Sequence, residues 1–126
     1  MTFLTTDDVL ALHDAQLRRF GGAPGLRSYA LLDSAVAQAS ATFAGVPLHE
    51  DVYAMAAAYL FHIVRNHAFV DGNKRAGLLA ALVFLDINGA TLSGPAPELY
   101  ELTLRVASGE VEKRKVAQLF RELAAR

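Results

Sequence analysis

Apolar residues recur along most of the chain at helical spacing, and in two places they run almost without interruption. Over residues 6–20, Val9, Leu10, Leu17 and Phe20 fall on one face at about 100° per residue, opposite Asp7, Ala11, Asp14 and Arg18. Thr5 or Thr6 serves as N-cap, and Asp7 and Asp8 suit the first turn. His13 falls inside the apolar face and reads as a buried imidazole bonded to backbone or to a neighbouring helix, in preference to a catalytic group. The cluster Gly21-Gly22-Ala23-Pro24-Gly25 ends this helix, and Arg27 follows it. A shorter helix is predicted from an N-cap at Ser28 to about Ala39, burying Leu31, Leu32, Ala35 and Val36.

From Ser40 to Glu50 the helical period is lost, with Gly45 and Pro47 as punctuation. Asp51 to Asn66 is apolar nearly all round, as expected of a helix in the middle of a bundle. A second such helix is predicted from about Lys74 to Ile87, where Gly77 and a string of Ala and Leu allow close approach and Asn88-Gly89 forms the C-cap. After a loop over Thr91 to Pro97, Leu99, Leu102 and Val106 make a stripe, with Glu101 and Arg105 as a solvated i, i+4 pair. The last helix, about Val111 to Ala125, buries Val116, Leu119, Phe120 and Leu123 and exposes Lys113, Arg114, Lys115, Arg121 and Glu122. Nothing reads as a strand pair. The expected architecture is all-α, a compact bundle of about six helices forming a single domain over residues 1–126.

Composition narrows the classes. At 126 residues and 53% hydrophobic, the chain can fill one core without staples, and it has no cysteine for disulfides or thiolate metal sites. A net charge of −1 argues against a nucleic-acid-coating surface. Asp7 and Asp8 interrupt any signal-peptide pattern, and the longest uncharged run, Ala76 to Leu85, is far below the ~20 apolar residues of a membrane span. No membrane association and a cytoplasmic location are therefore expected.

The dense polar chemistry lies between the two apolar helices, in His67-Ala68-Phe69-Val70-Asp71-Gly72-Asn73-Lys74-Arg75. Gly72 permits a positive φ, and Asn73 is a favoured N-cap for the helix beginning near Lys74. First-turn amides at such a helix start form a seat for an anion such as phosphate. Lys74 and Arg75 work against the helix dipole unless an anion is bound there. Asp71 is the kind of carboxylate that holds Mg²⁺ while a nucleotide supplies the other oxygens. His67 can take a proton from an attacking hydroxyl near neutral pH. Phe69 is expected to point inward and anchor the loop. His62 and His67 are five residues apart, which does not suit a zinc site on one helix face. Arg65 either offsets the carbonyl end of its helix or leans toward the phosphate seat, and the first reading follows the ordinary preference.

The residues His67, Phe69, Asp71, Gly72, Asn73, Lys74 and Arg75 resemble the pattern H-x-F-x-D-[GA]-N-K-R of the Fic/Doc superfamily, in its Doc (death-on-curing) branch. Fic adenylyltransferases carry Gly at the position of Lys74 and a second Arg at the position of Leu78. The resemblance continues through Leu12-His13-Asp14, the 21–27 segment, Leu31-Leu32-Asp33-Ser34-Ala35 and Asn88-Gly89, from about Thr5 to Leu123. One departure is Ala76, where the pattern commonly has Thr. The resemblance implies a Fic/Doc-like bundle and the toxin of a type II toxin-antitoxin module. Its activity would be that of an ATP- and Mg²⁺-dependent kinase, moving the γ-phosphoryl of ATP to a Thr or Ser hydroxyl of a translation factor, elongation factor Tu in the family, and so arresting translation.

By that resemblance His67 is the base and Asp71 the Mg²⁺ ligand. Gly72, Asn73, Lys74 and Arg75 bind phosphate, with Lys74 and Arg75 also taking up transition-state charge. A Phd-type antitoxin, disordered alone, would complete the bundle, and the 40–50 segment would be a flap in which Phe43, Val46 and His49 meet the target peptide; an ordinary packed loop is the other reading of that segment. Two further functions remain open at this point: adenylyl transfer to a protein hydroxyl, and a catalytically silent module that binds a nucleotide or peptide.

Overall fold

In the computed structural model, which describes residues 1–94 and 96–126, the apolar segment before the polar cluster forms the central helix. Six α-helices are present among these residues: α1 (Thr6–Phe20), α2 (Tyr29–Ala37), α3 (Val52–Asn66), α4 (Asn73–Ile87), α5 (Pro97–Ala107) and α6 (Lys113–Ala125). A 3₁₀ turn, Gln38–Ser40, extends α2. The all-α expectation holds, with boundaries within two residues of those predicted. The predicted 91–97 loop includes residue 95, which lies outside the described residues. No helix among the described residues is long and apolar enough to cross a membrane.

α3 is covered by α2, α4, α5 and α6, with its broadest contact on α4. Its N-cap Asp51 accepts from the Ala54 amide, and Ala56, Ala57, Ala58, Tyr59 and Leu60 are fully buried. The α3–α4 approach is set by Gly77, where an added Cβ would lie 2.7 Å from Cγ2 of Val64 and 3.0 Å from the Leu60 carbonyl oxygen. α3 is tied at its start to α6: the Arg121 guanidinium reaches both oxygens of Asp51 at 2.9 and 3.1 Å and Glu50 at 3.1 Å. Farther along, the Lys113 ammonium donates to Nε2 of His62 at 3.1 Å. Lys113 is therefore half-buried, a correction to its expected place on a solvated face: it starts α6 against α3.

Three other expectations are corrected. First, a small antiparallel hairpin exists, Thr42–Phe43 (β1) paired with Val46–Pro47 (β2) in the register Thr42↔Pro47 and Phe43↔Val46. Its two-residue loop, Ala44-Gly45, has positive φ at both positions (52° and 81°), the primed turn that matches strand twist. Alanine at the first of them hid the signal. Phe43 is 77% exposed and Val46 is also exposed, whereas His49 is turned in, its Nε2 bonded to the Gln38 carbonyl at 3.0 Å. Second, the buried face of α1 comprises Thr6, Val9, His13 and Gln16, while Phe20 is 62% exposed. Third, Leu31 is exposed.

Two stability predictions follow from the helix contacts. Alanine favours a helix interior over glycine by about 1 kcal/mol. Gly77→Ala should nevertheless lower stability by about 1–3 kcal/mol, because the methyl overpacks the α3–α4 seam, and denaturant titration measures this directly. The second concerns His62, which burial, the Lys113 charge and His49 together push down to about 4. The unfolded chain binds that proton near pH 6.5 and the folded chain only near 4, so stability falls as pH drops through this window. After discounting for the half-exposed ring, the loss is about 1–2 kcal/mol. His62→Gln keeps an acceptor for Lys113, and comparing its urea midpoint with the parent at both ends of the window should show that much less acid loss.

Candidate active site

Asn66 ends α3, and His67 follows it in the left-handed conformation, φ 53° and ψ 46°. A non-glycine residue there costs backbone energy and needs the surroundings to hold it. Arg27 does so by donating from Nη2 to the His67 carbonyl at 2.7 Å, while the Arg27 and Ser28 amides donate to the Ala68 carbonyl at 2.7 and 3.1 Å. The Val70 amide donates to the Gly25 carbonyl at 3.0 Å, and Leu26 forms an antiparallel bridge with Phe69. The glycine-rich 21–27 segment, read from sequence as a helix break, is thus a backbone splint for the motif loop. Its pairing partners lie some forty residues away and leave no local pattern, although the Pro-Gly-rich composition with an Arg at its end was the available signal.

Phe69 is buried as expected, and the His13 ring stacks on it with centroids 3.7 Å apart and planes 10° apart. His13 is also satisfied in the way anticipated, its Nε2–H donating to the Asp71 carbonyl at 2.8 Å. α1 therefore presents a partly polar buried face because what it covers is a loop with exposed backbone groups.

The expected N-cap role of Asn73 is corrected. Gly72 occupies the cap position at φ 81°, with no side-chain cap bond, and Asn73 is the first helical residue. Its carboxamide turns back into the loop: Oδ1 accepts from the Phe69 amide at 3.0 Å, and Nδ2 donates to the Phe69 carbonyl at 3.0 Å and to Nδ1 of His67 at 2.7 Å. With the side chain 6% exposed and so engaged, what Asn73 can offer a phosphate is its backbone amide. The doubly paired Phe69 fixes which end of the amide is which, so Nδ1 of a neutral His67 is the acceptor and Nε2 carries the proton.

A hollow of about 460 Å³ lies over this start of α4, and His67, Asp71, Gly72, Asn73, Lys74 and Arg75 all line it, with Gln16, Phe20 and Tyr100 among the other walls. The Asp71 carboxylate accepts from the amides of Ala23 at 3.1 Å and Gly72 at 2.8 Å. Those amides, Ala23 first, together with the charge of Arg75, hold its carboxyl below the usual carboxylate range. One amide bond per oxygen leaves each with acceptor capacity to spare. A single carboxylate beside bare amides suits Mg²⁺, which takes one or two carboxylates and fills its shell with phosphate and water. Among the described residues no group of three or more His, Asp or Glu could hold a metal ion through protein ligands alone. The Arg75 guanidinium lies 5.5 Å from the Phe20 ring centroid, a cation–π contact at the rim. Arg65 does not line the hollow; its Nη1 makes a long contact of 3.5 Å to the Val106 carbonyl. The guanidinium thus turns neither to the phosphate seat nor to the carbonyl end of its own helix, the favoured reading, but to the carbonyl end of α5.

Asn73→Ala removes partners from a buried amide and a buried carbonyl at once. It should cost about 2–4 kcal/mol of stability in a denaturant titration, and the His67 ring resonances should lose the chemical-shift signature of a bonded Nδ1.

A family model described as the Fic/DOC family matches residues 3–85. The chain is 35% identical over 123 residues to the "Protein kinase doc" of Escherichia phage P1, covering 98% of this chain and 96% of that protein. It is 46% identical over 91 residues to the "Toxin Doc" of Mycolicibacterium smegmatis, covering 72% of this chain and 68% of that one. With the helical bundle and the motif loop in place, the chain belongs to the Fic/DOC family, among its Doc members.

Proposed function

We propose that this protein is a toxin of a type II toxin-antitoxin module and acts as a protein kinase, transferring the γ-phosphoryl of ATP to a Ser or Thr hydroxyl of a translation factor, elongation factor Tu by family resemblance. The observation that carries the reading is that the His67 ring lines one hollow with Asp71, Lys74 and Arg75 at the uncapped start of α4. The phage P1 relative, named as a protein kinase, supports the same reaction. At the position of the second Arg that adenylyltransferases carry stands Leu78, which packs against the core and offers no charge to a distal phosphate.

On this reading each residue of the hollow has a role. The free amides at the start of α4 and the side chains of Lys74 and Arg75 receive the phosphates, where the helix dipole and two cations favour the charge that spreads in a loose phosphoryl-transfer transition state. Asp71 would hold Mg²⁺, which would supply positive charge to offset that of the phosphates. His67 orients the incoming hydroxyl and accepts its proton. Accepting at Nε2 requires the ring's own proton on Nδ1, the reverse of the tautomer that Asn73 favours, so the ring has to exchange its contact with Asn73 during the reaction. The exposure of Phe43 and Val46 on the 42–47 hairpin supports reading it as the surface that receives an extended target segment. The groove of about 390 Å³ between α4 and α5, lined by Leu78, Leu82, Leu85, Leu92 and Leu99, offers apolar surface to the C-terminal segment of a Phd-type antitoxin that folds on binding.

The deciding experiment incubates the protein with elongation factor Tu, Mg²⁺ and ATP labelled at either the α or the γ phosphate. Label from the γ position should appear on the factor, depend on Mg²⁺, and fall about 10²- to 10⁴-fold in His67→Ala. Transfer of the α label sinks the kinase reading in favour of adenylyl transfer, and growth arrest that persists unchanged in His67→Ala sinks catalysis altogether.

A further inference from the structure

Among the described residues, the buried side-chain polar atoms without a hydrogen-bond partner both belong to Gln16: its Nε2 and its Oε1. The residue is 6% exposed. It stands on α1 one turn beyond His13 and contributes to the wall of the hollow that holds Asp71, Lys74 and Arg75. Its Nε2 lies just under the start of α4, 3.4 Å from where a Cβ on Gly72 would be. Neighbouring His13 is fully engaged, by the Asp71 carbonyl and the Phe69 ring. Two polar side chains therefore sit side by side on one helix face; one holds the loop and the other is unspent. Burying an unpaired carboxamide destabilises a protein, and Leu or Met would fill the same volume without that cost.

The chemistry of the orphan atoms limits what can complete them. A carboxamide has two hydrogens to donate at Nε2 and lone pairs to fill at Oε1. An ionised phosphate only accepts, so it satisfies the first and leaves the second bare. A water in the shell of a divalent cation beside that phosphate supplies the missing donor, since Mg²⁺ keeps several waters when bound through one carboxylate and phosphate oxygens. We propose that Gln16 is a binding residue for the nucleotide's phosphate together with its hydrated cation, Nε2 donating to a phosphoryl oxygen and Oε1 accepting from a cation-bound water. This rests on the nucleotide reading given above and adds to it a contact from α1, outside the motif.

The test uses the full chain and a non-hydrolysable β,γ-imido analogue of ATP, with calorimetric titration in the presence and absence of Mg²⁺. Gln16→Met should bind the analogue with Mg²⁺ about ten- to a hundredfold more weakly than the parent, show a smaller loss without Mg²⁺, and melt, ligand-free, at the same temperature as the parent or higher. In the unmodified protein the side-chain NH₂ resonances of Gln16 should shift on adding the analogue and shift again on adding Mg²⁺, a reading that needs no variant to fold. Unchanged affinity in Gln16→Met, or resonances that do not move while the parent binds, overturns the Gln16 assignment and leaves the nucleotide reading standing. A parent chain that does not bind the analogue at all removes both.

Discussion

The pairing of the Asn73 carboxamide with both backbone groups of Phe69 is the constraint on which the rest of this structure turns. It closes residues 69–73 into a small ring, and in doing so it takes Asn73 away from the helix end that its residue type would ordinarily cap. Two consequences come from that one choice. The first amides of α4 remain unclaimed by any side chain, and the second hydrogen of the same Nδ2 is delivered to His67. A single buried amide thus leaves the start of α4 without a side-chain cap and orients the residue that stands beside it. An ordinary capping box, such as the one Thr5 and Asp8 form on α1, would have occupied those amides.

The loop does not hold this shape alone. Its backbone is paired with the 25–28 segment, its aromatic residue is covered by His13, and the carbonyl of its left-handed residue is taken by Arg27. The support is polar because the thing supported is backbone, and an aliphatic face against it would strand several carbonyls and amides. That explains why α1 buries His13 against the loop, while Thr6, farther along the same face, donates to the Asp33 carboxylate on α2. Stability and function draw on different parts of the molecule here: the aliphatic seams lie between α3 and its neighbours, and the hydrogen-bonded splint lies on the other side of the loop.

The same division explains what could be read from the chain. Helices whose faces meet other helices were legible from spacing alone, and α3 and α4 appear close to where their apolar runs place them. The chemistry of the loop was legible because His, Asp, Lys and Arg fall within nine residues, and the structure brings them to one hollow. Properties decided by partners distant in sequence were hidden. The buried side of α1 is chosen by a loop sixty residues on, the role of Asn73 by a backbone four residues back, and the half-burial of Lys113 by an imidazole on another helix. The 42–47 hairpin was missed for a local reason, since its turn places an alanine where glycine or asparagine is usual.

α3 lies mid-chain, yet it is clad by helices on both sides of it in sequence, and part of its cover is α6, which contributes the buried Phe120 and Leu123. That flank of α3 stays wet until α6 is in place, and the Arg121 fork that ties α3 to α6 arrives with it. The central helix cannot be sealed by the elements that precede it alone, so the core closes only when segments from both sides of α3 have come together.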